Sequence, residues 1–410
     1  MIALRVSGFL FAITLLMTSV LPVPSASAVA DRRNCKNTGS FNAWMRDFKA
    51  EAVRDGIPKS VVERSLRGVT VNRGIIRYDR KQNIFSLSFL QFVKKLVSAN
   101  RLRRGPRMIA KYKRIFDRVE RKYGVPAPVI TAFWGLESDF GSFMGKKSSI
   151  RSLATLAYDC RRPEIFRPQL KAALRIVERG DLRPRDMIGS WAGELGQTQF
   201  LPTHYLTHAV DFDGDGRRDL LKSVPDMIAS TGAYLKHFGW KRGQPWVQEV
   251  RLTKAVDWKE ADLAIRHSRK QWAAWGIRRA NGKPIKADGL KAALLLPMGR
   301  DGPAFLTYHN FDIYTQWNES LVYALTAAYY ATRLDGAARL RRASPKLKTY
   351  DYKQIRQIQS LLARRGYDVG GVDGKMGAKT RAAIKAMQIK FGLPADSYPS
   401  TAFIRRLRSG

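Results

Sequence analysis

The stretch from Val129 to Gly141, VITAFWGLESDFG, constrains the fold of this chain more than any other segment. An apolar run from Ile130 to Leu136 leads directly to one carboxylate, Glu137. The run is too short to span a membrane and too apolar for a surface helix. Two prolines just before it are typical of a first helical turn. The segment therefore predicts a buried core helix that ends beside Glu137.

A carboxylate at the C-terminal end of such a helix meets two effects that favour its protonated form. Burial removes water from the charged group, and the negative end of the helix dipole repels it. Both effects raise the pKa of a glutamic acid toward neutrality, which a proton donor requires. Glu137 is therefore the candidate catalytic acid, and the alternative is a solvated glutamate at a helix end.

The first 28 residues have the pattern of a cleaved secretory signal. Arg5 precedes an apolar run from Phe9 to Leu21, and Ala26-Ser27-Ala28 has the small residues of a cleavage site. The run is short for an uncleaved membrane anchor, which is the alternative. No run of small residues precedes Cys35, as it would at a lipid-modified cysteine. We therefore expect a soluble protein exported to the periplasm, with no transmembrane anchor after cleavage.

Cys35 and Cys160 are the two cysteines of the chain. An even pair in an oxidising compartment predicts one disulfide, which would tie the start of the mature chain to the segment after Glu137. Two unrelated buried thiols are the alternative.

The formal net charge is +39. Such a surface attracts polyanions: nucleic acid, anionic lipid or an acidic polymer. The sequence contains no nucleic-acid motif, and export argues against a nucleic-acid partner. The bacterial cell wall, whose peptide stems carry carboxylates, is the partner that agrees with both compartment and charge.

Helical spacing dominates the pattern from Phe41 to Phe238, including one amphipathic helix predicted from Arg107 to Tyr123. The segment Ser190 to Pro202 has two glycines that permit close backbone approach, and glutamine amides that can bind sugar hydroxyl or N-acetyl groups. A turn between two helices is the alternative. His204 and His208 share a helix face but lack the glutamate of a metalloprotease motif, so packing or surface histidines are expected rather than a zinc pair.

The segment from Asp211 to Asp219, DFDGDGRRD, is the front half of a calcium loop. Oxygen ligands at alternate positions and a glycine for the turn are typical of such loops. Lys222 stands where a bidentate glutamate is expected, and Asp226 could close a longer loop. The predicted ligands of a structural Ca²⁺ ion are Asp211, Asp213, Asp215 and Asp226, with a backbone carbonyl at Arg217. An acidic turn neutralised by Arg217 and Arg218 is the alternative.

The remaining pattern divides the chain. Residues 246–311 indicate a small β-containing insertion, and residues 336–350 read as a linker rich in Ala, Arg and Lys. Residues 351–410 form a compact helical module with its own basic surface. We therefore expect a mainly α protein: a signal peptide (1–28), a catalytic domain (31–335), a linker and this module.

Four motifs in order resemble the lytic murein transglycosylases of the membrane-bound-lytic-transglycosylase-B type, over residues 31–335. The module separately resembles the three-helix peptidoglycan-binding domain, through Asp373-Gly374, Gly377, Thr380, Ala383-Ile384, Gln388 and Gly392-Leu393. The motifs of the catalytic part are Trp134 to Gly141, Ala192 to Pro202, Asp211 to Gly216, and Asn310-Phe311 with Trp317-Asn318 to Ala324.

The resemblance implies a lysozyme-like α+β catalytic domain in which Glu137 is the one catalytic acid. It implies no required cofactor and a sugar-binding groove lined by Ser190, Gln199, Tyr234, Trp317, Asn318 and Tyr323. Two departures from the family pattern matter. Glu194-Leu195 stands where such enzymes often carry Ala-Met, which places an extra carboxylate near the groove. Trp317 replaces a frequent tyrosine and should still stack on a sugar ring.

The implied reaction is cleavage of the β-1,4 bond between N-acetylmuramic acid and N-acetylglucosamine in peptidoglycan glycan strands. Glu137 would act as acid and then as base, and the product would carry a 1,6-anhydro end. Asp139 would face away from Glu137 on a continuing helix. A lysozyme-type hydrolase with Glu194 as second carboxylate and a non-catalytic wall-binding scaffold are the alternatives.

Overall fold

A computed structural model describes residues 37, 39–80, 87–254, 256–341, 344 and 347–409. The predicted signal peptide and Cys35 lie outside the described residues. Helices dominate, as the sequence predicts, and none in the described ranges is long and apolar enough to cross a membrane. The α-helices are α1 Phe41–Arg54, α2 Lys59–Leu66, α3 Arg73–Arg80, α4 Phe89–Leu96, α5 Ala99–Lys111, α6 Lys113–Tyr123, α7 Ala127–Ser138, α8 Ser149–Tyr158, α9 Pro163–Arg179, α10 Pro202–His208, α11 Val224–His237, α12 Arg269–Ala274, α13 His309–Trp317, α14 Leu321–Leu334, α15 Tyr352–Arg364, α16 Ala378–Lys390 and α17 Thr401–Ser409.

Helix α7 is the buried helix that the apolar run predicts. Pro126 precedes it in an extended conformation, and most of its residues from Val129 to Ser138 are buried. It packs against α14 and α5. Gly135 makes the close approach to α14 feasible, since a Cβ there would lie 3.0 Å from the rings of Phe140 and Tyr330.

Two hydrophobic clusters lie side by side in the part of the chain before the C-terminal module. One surrounds α7 and α14 and includes Phe133 and Tyr323. The other surrounds α8 and α9 and includes Tyr234. Trp317 packs against both clusters. Trp317 therefore lies where two densely packed cores adjoin, which limits its motion.

The described residues contain seven β-strands: β1 Lys147–Ser148, β2 Ile188–Gly189, β3 Val247–Leu252, β4 His267–Ser268, β5 Ile277–Arg279, β6 Lys291–Leu295 and β7 Ala304–Thr307. The predicted β-containing insertion is an antiparallel five-stranded sheet in the order β4-β6-β7-β3-β5. Val247 of β3 pairs with Thr307 of β7, and Leu295 of β6 pairs with Phe305 of β7. Strands β1 and β2 form a separate two-stranded sheet.

Helices α15 to α17 form the C-terminal module around a small core of their own. Gln359, fully buried, organises its central loop. The Gln359 amide nitrogen donates to Asp373 at 3.1 Å and to Thr380 at 3.1 Å, and its carbonyl oxygen accepts the Gly374 N–H at 2.7 Å. Three helices around one polar centre agree with the predicted module.

The module is docked on the β-sheet through buried charged side chains. The Arg381 guanidinium donates to the carbonyl oxygens of Leu296 at 2.8 Å and Pro297 at 3.2 Å. Lys385 pairs with Asp262 at 2.8 Å. Arg381 is 8% exposed, and burial lowers its pKa to about 10. The sequence predicts a separable module on a linker, whereas these contacts join the module and the catalytic domain.

Candidate active site

The end of α7 positions Glu137. The helix stops because Asp139 and Phe140 adopt left-handed φ angles of 50° and 59°, which turn the chain away. Arg101 and Arg104 hold the Asp139 carboxylate at 3.2 and 2.9 Å. Glu137 therefore lies in the last helical turn, where the helix dipole is negative, and Asp139 is committed to two arginines.

The neighbours of Glu137 tie this helix end to the segment Ser190–Pro202. The Ser138 hydroxyl donates to the backbone carbonyl of Gln197 at 2.5 Å, and the Trp134 indole donates to the Gln197 side chain at 2.8 Å. Gln197 also donates to the Leu221 carbonyl at 3.1 Å. The glutamine-containing segment, predicted to line the groove, is thereby fixed beside the carboxylate.

Glu137 accepts two hydrogen bonds on the same oxygen, Oε1. The Trp317 indole donates at 3.1 Å, and the Tyr323 hydroxyl also donates to it. The pKa of Glu137 is raised to about 7: burial is the largest cause, the charge of Glu194 adds to it, and the hydrogen bonds from Tyr323 and Trp317 oppose it. Near neutral pH the carboxyl group therefore exists in both protonation states, as a group that gives and then takes a proton requires.

Glu194, the departure noted in the sequence, lies in the same site. Its Oε2 accepts the Ser190 hydroxyl at 2.7 Å. Burial raises the pKa of Glu194, and the Ser190 hydrogen bond opposes the rise. The site thus contains two carboxyl groups whose pKa values burial raises, and each of them accepts a side-chain hydrogen bond that stabilises its ionised form.

Aromatic rings form one wall. Trp317 stacks on Phe133 with centroids 4.3 Å apart and lies 5.5 Å from Tyr234. The Tyr234 hydroxyl bonds to Nδ1 of His204 at 2.7 Å, and His208 packs on the same ring. The two histidines therefore pack against Tyr234, as predicted. Trp317 supports Glu137 directly, and its stacking on sugar stays a prediction.

Gln199 and Asn318 each make a hydrogen bond to a nearby backbone group with one end of the side-chain amide. Gln199 has a φ of +52° and donates to the Gly196 carbonyl at 2.7 Å. The Asn318 oxygen accepts the Ser320 N–H at 2.9 Å. Gln199 Oε1 and Asn318 Nδ2 make no hydrogen bond within the described ranges, so each can bind a ligand.

An open pocket of about 440 Å³ adjoins Glu137 and contains residues that the sequence reasoning missed. Lys95 and Arg101 line it, and the Phe143 ring at its edge is 76% exposed. Trp191, next to Ser190, packs 5.4 Å from the exposed ring of Tyr78. Phe143 lies just after the motif that ends at Gly141, and Trp191 lies in the segment Ser190–Pro202. Aromatic residues beside these glycines were the sequence signal that could have identified them.

The predicted calcium ligands come together in part. One carboxylate oxygen from each of Asp211, Asp213 and Asp226 lies within 4.8 Å of the others. Asp215 is not in this cluster, and its side chain accepts the Arg217 N–H at 2.8 Å. Burial, and then the charge of Asp213, raises the pKa of Asp226. Three convergent carboxylates are the hard oxygen donors that fit Ca²⁺.

The alternative of an arginine-neutralised turn receives less support from the contacts. Arg218 pairs with Asp181 at 3.4 Å rather than with a loop aspartate. Within the described part of the chain, no ion pair joins Arg217 to Asp211, Asp213 or Asp226. Among the described residues, no salt bridge joins a protein cation to these three carboxylates.

The region of the predicted disulfide is described on one side. Cys160 follows α8, and its backbone N–H donates to the Asn37 side chain at 2.8 Å. Asn37 is two residues from Cys35, so the chain near Cys35 approaches Cys160. Because Cys35 lies outside the described residues, the Cys35–Cys160 pairing stays a prediction.

Comparison with sequence families gives two matches. The Transglycosylase SLT domain family matches residues 40–332, and the peptidoglycan binding domain family matches residues 351–407. Membrane-bound lytic murein transglycosylase B of Escherichia coli is 30% identical over 239 residues, which are 58% of this chain and 65% of that protein. The chain thus spans less than two thirds of that relative.

Two solved structures are similar in fold to this chain. SltB3 from Pseudomonas aeruginosa, in complex with NAG-anhNAM-pentapeptide, is 43% identical with a TM-score of 0.84, covering 90% of this chain and 100% of that chain. The Escherichia coli lytic transglycosylase Slt35, in complex with calcium, is 26% identical with a TM-score of 0.60, covering 71% and 92%.

Proposed function

The chain belongs to the Transglycosylase SLT domain family, and on that premise we propose that it is a lytic transglycosylase of peptidoglycan. It cleaves the β-1,4 bond between N-acetylmuramic acid and N-acetylglucosamine and leaves 1,6-anhydromuramic acid ends. The observation that carries the proposal is Glu137: burial raises its pKa to about 7, and two side-chain donors orient it.

In this mechanism Glu137 acts twice. As an acid it protonates the glycosidic oxygen while the muramoyl N-acetyl carbonyl oxygen stabilises C1. As a base it then takes the proton of the muramoyl C6 hydroxyl, whose oxygen attacks C1. Trp317 and Tyr323 bind Oε1 and stabilise the ionised form between these steps.

A single acid agrees with the surroundings of Glu137. Ordinary glycosidases use two carboxylates that flank the bond. Asp139 is two residues away in sequence, but Arg101 and Arg104 bind its carboxylate at 3.2 and 2.9 Å. These contacts occupy the carboxylate, which is therefore unsuited to attack C1.

The groove residues are proposed to bind the glycan. Gln199 Oε1 and Asn318 Nδ2 supply one acceptor and one donor for sugar hydroxyl or N-acetyl groups. The rings of Trp317 and Tyr234 supply apolar wall, Ser190 acts with Glu194, and Tyr323 positions Glu137. SltB3, which binds a muropeptide with an anhydromuramoyl group, supports this class of ligand.

The partner is proposed to be the cell wall, reached after export to the periplasm. The net charge of +39 favours a polymer whose peptides carry carboxylates. The C-terminal module, matched by the peptidoglycan binding domain family, adds a second contact with the wall.

A structural Ca²⁺ is proposed at Asp211, Asp213 and Asp226, and no cofactor is required for the reaction. The three carboxylates converge, and Slt35 has been solved with calcium. The ion would hold the loop that precedes α11, and α11 carries Tyr234.

Glu194 favours a second candidate, a lysozyme-type hydrolase of the same bond. Its carboxylate is near enough to raise the pKa of Glu137, and ordinary glycoside hydrolases use a pair of carboxyl groups. Product mass separates the two reactions, because an anhydro product is one water lighter than a hydrolysed one.

The test is digestion of purified sacculi by the wild type and by Glu137→Gln, with products analysed by mass spectrometry. The wild type should release anhydromuropeptides. The near-isosteric amide cannot exchange the proton, so the variant should still bind sacculi and lose at least about 10²-fold in rate. A variant rate within tenfold of the wild type would contradict the role of Glu137. Binding without any cleavage by the wild type would indicate a wall-binding scaffold.

A further inference from the structure

The Ser190–Glu194 pair presents hydrogen-bond acceptors to the groove. The one proton of the Ser190 hydroxyl is donated to Glu194 Oε2 at 2.7 Å, while Ser190 Oγ accepts the Ala192 N–H at 3.2 Å. An ionised carboxylate has no proton to donate. A substrate group that meets this pair must therefore be a donor.

The position of Glu194 is fixed by its backbone. Its carbonyl oxygen accepts the Ser190 N–H at 3.3 Å. Gly189 packs against that same oxygen so closely that a Cβ there would lie 1.9 Å away. The following residue, Leu195, forms a reciprocal pair of backbone hydrogen bonds with Phe200, both 2.8 Å. The side chain therefore projects from a rigid segment.

One oxygen of Glu194 is available. Within the described part of the chain, Oε2 is held by Ser190 and no hydrogen bond reaches Oε1. The residue is partly exposed, so a ligand in the groove can approach it. Hydrogen bonds from Trp134 and Ser138 to Gln197 hold the segment that contains Glu194 against the end of α7. Tyr323 bonds to Glu137 there, and the charge of Glu194 raises the pKa of both groups.

The two carboxyl groups influence one another. The Ser190 hydroxyl stabilises an ionised Glu194, and that negative charge favours a protonated Glu137, whose own Oε1 accepts hydrogen bonds from Trp317 and Tyr323. Pairs of carboxyl groups in different environments commonly divide proton donation and charge stabilisation between them.

The chemistry of the glycan identifies the donor. In a muramoyl residue within a strand, O1 and O4 are in glycosidic bonds and O3 carries the lactyl ether. The donors left on the sugar are the C6 hydroxyl and the acetamido N–H. The proposed mechanism assigns the C6 hydroxyl to Glu137, so the acetamido N–H is the donor that remains.

Resting on the proposed function, we propose that Glu194 Oε1 accepts a hydrogen bond from the acetamido N–H of the muramoyl residue whose C1 is attacked. Glu194 stays ionised and transfers no proton. The acetamido carbonyl oxygen forms a bond to C1 as the C1–O bond breaks, and the leaving oxygen takes the proton of Glu137. The positive charge that develops on the acetamido group lies beside the Glu194 carboxylate. Attack of the C6 oxygen on C1 then restores the acetamido group and returns a proton to Glu137.

The experiment compares wild type, Glu194→Gln and Glu194→Ala on purified glycan strands. We measure kcat, KM, product mass and the pH dependence of kcat/KM. Glutamine keeps an acceptor but loses the charge, and alanine loses both. Loss of a hydrogen bond to a charged group predicts a fall in kcat of about ten- to a hundredfold for alanine. Glutamine should be intermediate, with little change in KM and an unchanged anhydro product.

The pH profile distinguishes this role from a merely structural one. Removing the negative charge should lower the pKa of Glu137, so the loss of activity at high pH should begin at lower pH in both variants. Glu178→Gln, which changes an exposed carboxylate on α9, is the matched control and should match the wild type. Alanine is frequent at position 194 in the resembling enzymes, so a folded Glu194→Ala protein is expected even where Glu194→Gln fails to fold.

Three results would overturn the proposal. Variants with wild-type kcat and an unshifted pH profile would remove Glu194 from the reaction. Loss of all activity in Glu194→Ala, with azide restoring it as a glycosyl azide, would make Glu194 the nucleophile of a hydrolase. Wild-type protein that releases no anhydro product would contradict the proposed function and this proposal with it.

Discussion

Ionising Glu137 should destabilise the folded protein, because the folded environment favours its protonated form. Burial, the largest cause, raises the pKa of Glu137 from 4.5 to about 7. The unfolded chain returns this group to water and to its ordinary pKa. Replacing Glu137 with glutamine removes the titration but keeps nearly the same shape.

The magnitude follows from proton linkage. Between pH 4.5 and 7 the folded state holds a proton on Glu137 that the unfolded state has released, so the free energy of unfolding falls as pH rises. A pKa difference of about 2.5 corresponds to about 3 kcal/mol at 1.36 kcal/mol for each unit. This contribution is fully present below pH 4.5 and is lost above pH 7. The free energy of unfolding of Glu137→Gln minus that of the wild type should therefore rise by about 3 kcal/mol from pH 4 to pH 8.

Urea denaturation at pH 4, 6 and 8, followed by tryptophan fluorescence, measures this difference. Most other titrating groups are common to the two proteins, so their effects cancel in the comparison. Glu178→Gln is the control and should follow the wild type at each pH. A constant stability difference between Glu137→Gln and the wild type from pH 4 to 8 would refute the reasoning, since Glu137 would then titrate alike in both states.

Three further predictions address contacts around the site. Tyr323→Phe removes a hydrogen-bond donor from the ionised carboxylate of Glu137, so the high-pH limb of kcat/KM should move up by about one pH unit. Tyr330→Phe is the control on the same helix, and a downward shift in Tyr323→Phe would contradict the assignment. Millimolar Ca²⁺, but not Mg²⁺, should raise the melting temperature, and the free energy of unfolding should increase by about 2.7 kcal/mol when Ca²⁺ is in hundredfold excess over its Kd. Asp213→Asn should abolish this rise. No rise in the wild type would contradict calcium binding by the loop. Arg381→Met should lower the free energy of unfolding by about 2–4 kcal/mol by leaving two buried carbonyls unpaired; unchanged urea midpoints would show that the module is not docked in solution.

The sequence predicted the elements that a local pattern encodes. The apolar run gave helix α7 and placed Glu137 in its last turn, since burial and capping depend on nearby residues. The alternation of apolar and polar residues after Trp246 predicted the β-containing insertion, which the structure confirms. The single helix predicted from Arg107 to Tyr123 was wrong: the chain breaks at Tyr112, whose φ of −108° interrupts the helix while the apolar stripe continues.

Features that depend on long-range contacts were harder to predict. The hydrogen bonds from Trp317 and Tyr323 to Glu137 join residues about 180 positions apart, so no spacing rule reaches them. Asp226 joins the carboxylate cluster of Asp211 and Asp213, and Asp215 does not, because the loop directs Asp215 to its own backbone. The docking of the module was missed because Arg381, a charged residue, is expected in solvent and is instead buried.

Docking of the C-terminal module affects the avidity with which the two domains can bind together. On a flexible linker, the second binding event would have an effective concentration set by linker length. Here the buried contacts of Arg381 and Lys385 fix the separation and orientation of the two surfaces. Avidity then arises when one glycan network presents ligands at the matching spacing and angle. The rigid arrangement would therefore select among wall architectures, independently of the affinity of either domain alone.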